Sequence, residues 1–354
     1  MFNARISALA SYVPDDILDN DMLSKMVDTN DEWITTRVGI KERRILHKDG
    51  AGSSYMGIKA VNKLLAENPS AKAEDIDLLI CATSNPDYRF PSTASIIAYH
   101  TGLTGAYAYD IQAACAGFIV ALQDATAYIR SGIYKNVLVV CTEKMSSMID
   151  YTDRSTCALF GDGAAAALVQ PTDQPDTGVI DGLFHVDGSG LEHLVMLGGG
   201  SAHPTTQETL DKKWHFLLQD GRHVYKNAVT DMLTSTQDIM KRNKLGVNDI
   251  DYIVPGQSSH HRSRSPTCRH THGQGVGQHP IPRQHLRRFH THLFGRIQAH
   301  SQERRQNHPD SLRRRVHLGC DVYRLGHVTL GSAALRSARP RTARGAIYAT
   351  QPKH

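Results

Sequence analysis

Short apolar runs alternate with stretches of helical periodicity over residues 1–170. The runs 76–82 and 136–141 are almost continuously apolar, as expected of strands that are covered on both faces. Residues 54–67 and 115–133 have the spacing of amphipathic helices, and 164–169 form a further apolar run. This alternation predicts an α/β protein built from packed layers.

A second round of the same pattern begins near residue 178 and then stops. It predicts a helix over 227–243 and a strand over 250–255. After Pro255, frequent Arg, His, Pro and Gly leave few apolar residues at any period. We therefore predict no helix or strand in the remainder of the chain.

The charge of the chain changes sign at the same point. The 354 residues carry a formal charge of +5, but residues 256–354 hold 17 Arg, 1 Lys and only 3 acids. That leaves 22 basic and 32 acidic residues in 1–255. Such a break indicates a separate domain, a nucleic-acid tail or a shifted reading frame.

One cysteine lies at a predicted junction between a strand and a helix. The apolar stretch 106–111 leads to Cys115 within a bend of small residues, and a helical pattern over 117–131 follows. Free N–H groups and the helix dipole at such a position favour the thiolate. Cys115 is therefore a candidate nucleophile, and a buried structural cysteine is the alternative.

The segment around Cys115 resembles the active-site segment of the β-ketoacyl-acyl carrier protein synthase III family. Other segments resemble the same family in the same order, and together they cover about residues 1–255. They are Tyr12–Pro14, Asp28–Ile34, Arg37–Ile40, Phe90–Ser92, Thr152–Arg154 and Phe160–Ala164.

The resemblance implies a thiolase-like fold of two related halves in a five-layer αβαβα arrangement. The first half, with the nucleophilic cysteine, would occupy 1–172, and 173–255 would begin the second half. Residues 256–354 form an aberrant tail rich in Arg and His that we do not expect to be natively folded.

The resemblance also implies the reaction. In this family the cysteine takes an acetyl group from acetyl-CoA, and a His/Asn pair then assists condensation with malonyl-acyl carrier protein. Cys115 matches the nucleophile. The implied partners are acetyl-CoA, acyl carrier protein and a second copy in a cytoplasmic homodimer, with no nucleic acid or membrane. Neither a cofactor nor a metal is expected.

Two groups of residues match the binding sites of the family. Trp33 and Arg154 match the pair that encloses the CoA adenine, and Phe90 matches an aromatic residue that a partner subunit inserts into the acyl pocket. The residues that match the CoA site are Thr29, Trp33, Arg37 and Arg154. Those that match the acyl pocket are Phe90, Gly221 and Tyr225.

The remaining residues of interest carry less chemistry. Residues 161–163 read as a structural turn before a buried strand. The histidines before residue 256 show no metal-ligand spacing: His47, His100, His185, His193, His203, His215 and His223. The six cysteines show no disulfide framework, which indicates reduced thiols in the cytoplasm. Neither a signal peptide nor a membrane-spanning run is apparent.

Three interpretations of the tail compete. Its arginines suit nucleic acid, although few aromatic residues lie among them. A zinc site is a second interpretation, but the spacing fits no standard finger. Its candidate ligands are Cys268, His270, His272 and His279.

A shifted reading frame is the third interpretation. Permitted codons for 283–289, read one base later, encode Gly-Asn-Thr-Ser-Ala-Ala, the family's asparagine motif. The same offset at 256–263 and 313–323 permits the segment after the catalytic histidine and the C-terminal glycine loop. We favour this interpretation. In the printed frame Gly256 and Gln257 replace the histidine motif, so condensation is expected to be impaired.

Two alternative functions remain open. One is a thiolase-fold ketide or quinolone-type synthase that uses the same cysteine. The other is a non-catalytic protein whose basic tail binds nucleic acid.

Overall fold

The structure is a computed structural model that describes residues 3–174, 177–246, 249–253, 333–336 and 345–347. The proposed zinc ligands, Gly256, Gln257 and the three segments that fit a shifted frame lie outside the described residues.

Strands and helices alternate through the described chain, as the sequence predicted. The strands are β1 (Asn3–Tyr12), β2 (Ile17–Asp19), β3 (Glu42–Arg44), β4 (Leu78–Ala82), β5 (Tyr107–Ile111), β6 (Val137–Lys144), β7 (Asp162–Thr172), β8 (Gly178–Gly182), β9 (Leu194–Val195), β10 (Leu218–Gln219), β11 (Ile250–Ile253), β12 (Ala333–Arg336) and β13 (Gly345–Ile347). The helices are α1 (Asn20–Ser24), α2 (Asp31–Arg37), α3 (Ser53–Glu67), α4 (Thr93–His100), α5 (Gly117–Ser131), α6 (Arg154–Cys157), α7 (Gln207–Asp211) and α8 (Gly221–Arg242). None of these helices has both the length and the apolar composition that crossing a membrane requires.

The first core is a five-stranded sheet in the order β1-β7-β6-β4-β5. β4 pairs in parallel with β5 and β6, whereas β7 pairs antiparallel with β6 and β1. Every residue of β4 is buried. The prediction from its continuous apolar pattern, a strand covered on both faces, is therefore confirmed.

Helices cover the two faces of this sheet. On one face, Phe118 and Leu122 of α5 belong to a core with Leu78 and Ile80 of β4. On the other face, α3 and α4 supply Met56, Leu64 and Ile97 to a second core. Successive residues of β4 therefore enter opposite cores, because side chains of a strand alternate between its faces.

A third core joins the segments that surround the candidate CoA site. It includes Ile34 of α2, Cys157 of α6 and Val224 of α8. The guanidinium of Arg43, 1% exposed, donates to the carbonyl oxygen of Ala158 at 2.6 and 3.0 Å. It also donates to the side-chain oxygen of Asn20 at 2.5 Å. These bonds fix β3 to the starts of α1 and the residues after α6.

A second sheet of four strands has the order β11-β13-β12-β8. β13 pairs in parallel with β11, and β12 pairs antiparallel with β13 and β8. The sequence predicted no strand after residue 255, yet β12 and β13 lie there. A strand ladder is formed by backbone groups, which can pair where the side-chain pattern gives no signal.

Gly117 allows α5 to approach β4 closely, and this contact generates a testable prediction. A Cβ on Gly117 would lie 2.6 Å from the Cβ of Ala82. We expect Gly117→Ala to lower the free energy of unfolding by on the order of 1–3 kcal/mol, because the helix must shift away from the sheet. Urea denaturation followed by circular dichroism measures the change.

Gly105→Ala is the matched control, since a Cβ on Gly105 would meet no atom within 4 Å. Equal midpoints for the two variants would contradict the proposed close approach.

Candidate active site

Cys115 lies between β5 and α5, in a single 3-10 turn formed by Ala114–Ala116. Ala114 adopts a φ of +46°, a left-handed conformation that costs a residue with a Cβ roughly 1–2 kcal/mol. No side chain caps the start of α5. The amides of its first turn are thus oriented toward the turn that carries the sulfur, and the helix dipole favours negative charge there.

The end of β5 is fixed just before the turn. The Asp110 carboxylate accepts from the amides of Thr93 and Ala94, at 2.8 and 2.7 Å, and so ties β5 to the first residues of α4. Cys115 itself is partly exposed. The junction therefore presents the thiol from a rigid backbone.

The other described cysteines differ in environment. Burial raises the pKa of Cys141 to about 12 and that of Cys157 to about 11, and it also raises the pKa of Cys81. These three thiols are protonated at neutral pH. The strand–helix junction is the feature that separates Cys115 from them.

The segment after β4 lies beside the segment after β6. The amide nitrogen of the Asn85 side chain donates to the Lys144 carbonyl at 2.7 Å, and the Ser53 hydroxyl donates to the Asn85 carbonyl at 2.7 Å. The Ser54 amide donates to Asp87 at 2.8 Å. This segment then exposes Phe90, 86% accessible, ahead of α4. The base of the loop is fixed while its aromatic tip is free to contact another molecule.

Glu143 occupies the carboxyl end of β6 and was missed by the sequence analysis. It accepts a hydrogen bond from the Ser84 amide, and its second oxygen is enclosed without a hydrogen-bond partner in the described part of the chain. Desolvation raises the pKa of this carboxyl to about 7. An acid that follows an apolar strand is the only sequence signal for such a group.

Three of the four predicted CoA-site residues form one cluster. Asn30 caps α2 by accepting from the Trp33 amide at 2.8 Å. The guanidinium carbon of Arg37 lies 4.6 Å from the centroid of the Trp33 ring, and that of Arg154 lies 5.4 Å from it. Arg154 also donates to the Asp28 carbonyl at 3.0 Å. The result is an indole with a cation on each of two sides, a setting suited to a flat anionic ligand.

Thr29 precedes this cluster, and its hydroxyl is enclosed without a hydrogen-bond partner among the described residues. A flat base between Trp33 and Arg154 needs about 3.5 Å on each side. The observed 5.4 Å is smaller than that sum, so Arg154 must move outward to admit a base. Its side chain is half exposed, which makes the movement inexpensive.

Gly221 and Tyr225 lie one helical turn apart at the start of α8. Asp220 caps this helix by accepting from the amides of Arg222 and His223, at 3.2 and 3.1 Å. Val224 anchors the same turn in the third core, and Tyr225 is 43% exposed. The predicted pocket residues of α8 are thus on one turn, while Phe90 lies separately on the loop after β4.

The prediction that the early histidines show no metal-ligand pairing is wrong for two of them. His193 and His223 stack with ring centroids 3.4 Å apart, and Asp220 lies beside both. The two histidines are far apart in the sequence, and the fold brings them together. Spacing alone therefore gave no signal.

Comparisons with known proteins agree on one family. The family described as 3-oxoacyl-[acyl-carrier-protein (ACP)] synthase III matches residues 109–188. Beta-ketoacyl-[acyl-carrier-protein] synthase III of Porphyromonas gingivalis is 50% identical over 257 residues, covering 73% of this chain and 76% of the relative.

Solved structures are similar over a comparable part of the chain. 3-Oxoacyl-[acyl-carrier-protein] synthase III from Aquifex aeolicus aligns with a TM-score of 0.63 and 37% identity, over 72% of this chain and 76% of its own. The priming beta-ketosynthase of the R1128 polyketide biosynthetic pathway aligns with a TM-score of 0.65 and 34% identity, over 72% and 74%.

The raised pKa of Glu143 predicts a specific pH dependence of stability. The folded chain holds this proton up to a pH of about 7, whereas the unfolded chain releases it near 4.5. The free energy of unfolding therefore falls as pH rises between these values. We expect Glu143→Gln, which keeps an acceptor for the Ser84 amide, to gain stability relative to the parent protein between pH 5 and pH 8. Urea unfolding across this range measures the difference.

Glu74→Gln, at an exposed side chain, is the control and should follow the parent at every pH. A Glu143→Gln profile parallel to the parent profile would exclude a buried proton at this position.

Proposed function

The chain belongs to the 3-oxoacyl-[acyl-carrier-protein] synthase III family, and we propose that it accepts an acyl group from acetyl-CoA on Cys115. Family membership makes it an acyltransferase-type condensing enzyme of fatty acid synthesis. The observation that carries the assignment of the nucleophile is the strand–turn–helix junction, which offers a partly exposed thiol to the uncapped start of α5.

The chemistry of this step follows from the junction. The Cys115 thiolate attacks the thioester carbonyl, a new carbon–sulfur bond forms, and the bond to the CoA sulfur breaks. CoA leaves as a thiolate and takes up a proton. The amide of Cys115, at the base of the turn, supplies one hydrogen bond to the developing oxyanion. The thioester itself supplies the activation, so neither a metal nor a cofactor takes part in the proposal.

The Trp33 cluster supports recognition of the nucleotide part of CoA. In the proposal, adenine enters between Trp33 and Arg154, and Arg37 contacts the phosphates. The enclosed hydroxyl of Thr29 gains a hydrogen-bond partner when the ligand binds. Each of these residues lies at an end of α2 or at the start of α6, which the third core holds together.

The exposure of Phe90 supports a homodimer. An aromatic side chain that is 86% exposed on a fixed loop base loses little entropy when a second copy receives it. In the proposal, Phe90 of one copy closes the acyl pocket of the other, with Gly221 and Tyr225 as further walls. Acyl carrier protein is the proposed acceptor, and the cytoplasm is the proposed compartment.

Condensation needs residues that the printed sequence does not supply. Gly256 and Gln257 occupy the place of the family's histidine motif, and the asparagine motif has no counterpart. We therefore propose that this polypeptide stops at the acyl-enzyme. Sequencing the gene across the codons for Val254 to Tyr323 tests the origin of this loss. A continuous frame through both motifs would establish a shifted frame, and the printed frame would exclude it.

A polyketide-priming role is the second candidate, because the R1128 priming enzyme is 34% identical to this chain. The two roles differ in the acyl donor. Faster acylation by a longer acyl-CoA than by acetyl-CoA would favour the priming role.

The proposed nucleophile can be tested by mass spectrometry of the intact chain. We expect incubation with acetyl-CoA to add the mass of one acetyl group, because Cys115 forms a stable thioester. Cys115→Ala should remain unmodified, whereas Cys141→Ala, at a buried thiol of high pKa, should be acetylated like the parent. Peptide mapping locates the acetyl group.

Acetylation of Cys115→Ala to the parent level would contradict the assignment. Adding malonyl-acyl carrier protein to the acetylated parent should yield no acetoacetyl-acyl carrier protein, and its formation would overturn the proposed arrest.

The nucleotide site can be tested with two donors. We expect Trp33→Ala to lower kcat/KM for acylation by acetyl-CoA roughly tenfold, since base stacking on an aromatic ring contributes about 1–3 kcal/mol. Acylation by acetyl-phosphopantetheine, which lacks the adenosine, should not change. The measurement is the rate of acyl-enzyme formation at limiting donor.

Tyr99→Ala removes another exposed aromatic side chain and should leave both rates unchanged. If Trp33→Ala slowed both donors equally, Trp33 would act on the fold rather than on the base.

A further inference from the structure

Two imidazoles and a carboxylate meet where α8 begins. One ligand atom from each of His193, Asp220 and His223 lies within 4.8 Å of the other two. The His193 Nδ1 atom is 3.5 Å from an oxygen of Asp220. The two rings are nearly parallel, with an interplanar angle of 13° and centroids 3.4 Å apart.

The backbone holds these residues in place. β9 and β10 pair directly beside them, with Leu194 opposite Gln219. The Asp220 amide donates to the His193 carbonyl at 2.8 Å. Leu194 is buried in the third core, so the segment is anchored as well as paired. The positions of His193 and Asp220 are therefore set before any ligand binds.

The carboxylate of Asp220 divides its two oxygens between different tasks. Oδ1 accepts from the amides of Arg222 and His223 and caps α8. Oδ2 is the atom that faces His193. The His223 amide is the main reason why the pKa of Asp220 is lowered, so the group is an anion at neutral pH. One oxygen thus remains available to a cation while the other keeps the helix capped.

We propose that His193, Asp220 and His223 bind a divalent transition-metal ion of the Zn²⁺ class. Imidazole nitrogens with one carboxylate oxygen are ligands that zinc and its neighbours prefer, whereas Mg²⁺ and Ca²⁺ prefer oxygen alone. Three protein ligands leave one tetrahedral position for water. His193 and His223 are each partly exposed, so water reaches the site.

Binding requires a small rearrangement of side chains. Ligand atoms around a tetrahedral zinc ion are about 3.3 Å apart, given bonds of about 2.0–2.1 Å. The rings must tilt out of their parallel stack so that a nitrogen lone pair from each points at one ion. Since both side chains reach solvent, rotation about their own torsions achieves this without moving the backbone. The ion would join the segment before β9 to the first turn of α8.

The inference does not depend on the proposed acyl transfer, and its test has a separate readout. The 13 histidines of residues 256–354 would obscure any measurement of total zinc binding. We therefore propose to modify the full chain with diethyl pyrocarbonate at increasing Zn²⁺ and to quantify each histidine by peptide mass spectrometry. His193 and His223 should lose reactivity together at one zinc concentration. His47, with a side chain that is 69% exposed, should stay reactive as an internal reference.

Variants separate ligation from other effects. Asp220→Asn keeps an acceptor for the α8 cap but removes the charged ligand. We expect it to raise the zinc concentration needed for protection by at least about tenfold, since even partners outside the ligand shell change metal affinity by that factor. His223→Gln should remove the protection of His193. His203→Gln, at an exposed histidine outside the cluster, should titrate like the parent.

Zinc-independent labelling of His193 and His223 would overturn the proposal. Protection of only one of them, or an Asp220→Asn titration identical to that of the parent, would equally exclude a three-ligand site.

Discussion

The packing of α5 against β4 is the contact on which the candidate nucleophile depends. Gly117 leaves its first turn in contact with Ala82, because any Cβ at that position would overlap the alanine methyl group. The same helix buries Phe118 and Leu122 in one core of the sheet. Since the turn with Cys115 directly precedes Gly117, the depth at which the helix sits fixes the height of the sulfur above the strand ends.

A buried cation plays the corresponding part at the nucleotide site. Trp33 and Arg154 belong to different helices, and no local rule of helix geometry brings them together. Arg43 connects Asn20, where α1 begins, to the carbonyl of Ala158 that follows α6. Losing a guanidinium from such a site would leave its buried acceptors unpaired, which costs more than an exposed bond contributes. The spacing of the indole and the two cations is therefore set by the third core.

The sequence predicted those features whose cause lies within a short segment. Continuous apolar runs identified β4 and β6, and the bend of small residues before a helical pattern identified the junction at Cys115. Resemblance supplied the CoA residues, and the structure joins Arg154 to Trp33 and Arg37. Glu143 was not predictable, because its raised pKa depends on enclosure by residues after β4. His193 and His223 were likewise missed, since pairing of β9 with β10 brings them together.

The division of the chain also separates two chemical steps. Acylation uses a thiol at the start of α5 and a nucleotide cluster on α2 and α6, all of which lie before β7 ends. Decarboxylation in this family uses a histidine and an asparagine from the second half, where the printed sequence has other residues after Pro255. Acylation is a nucleophilic substitution that needs an anionic sulfur and an oxyanion donor, whereas condensation must also stabilise a carbanion. A chain with the first set of groups and without the second can therefore hold an acyl group that it has no means to extend.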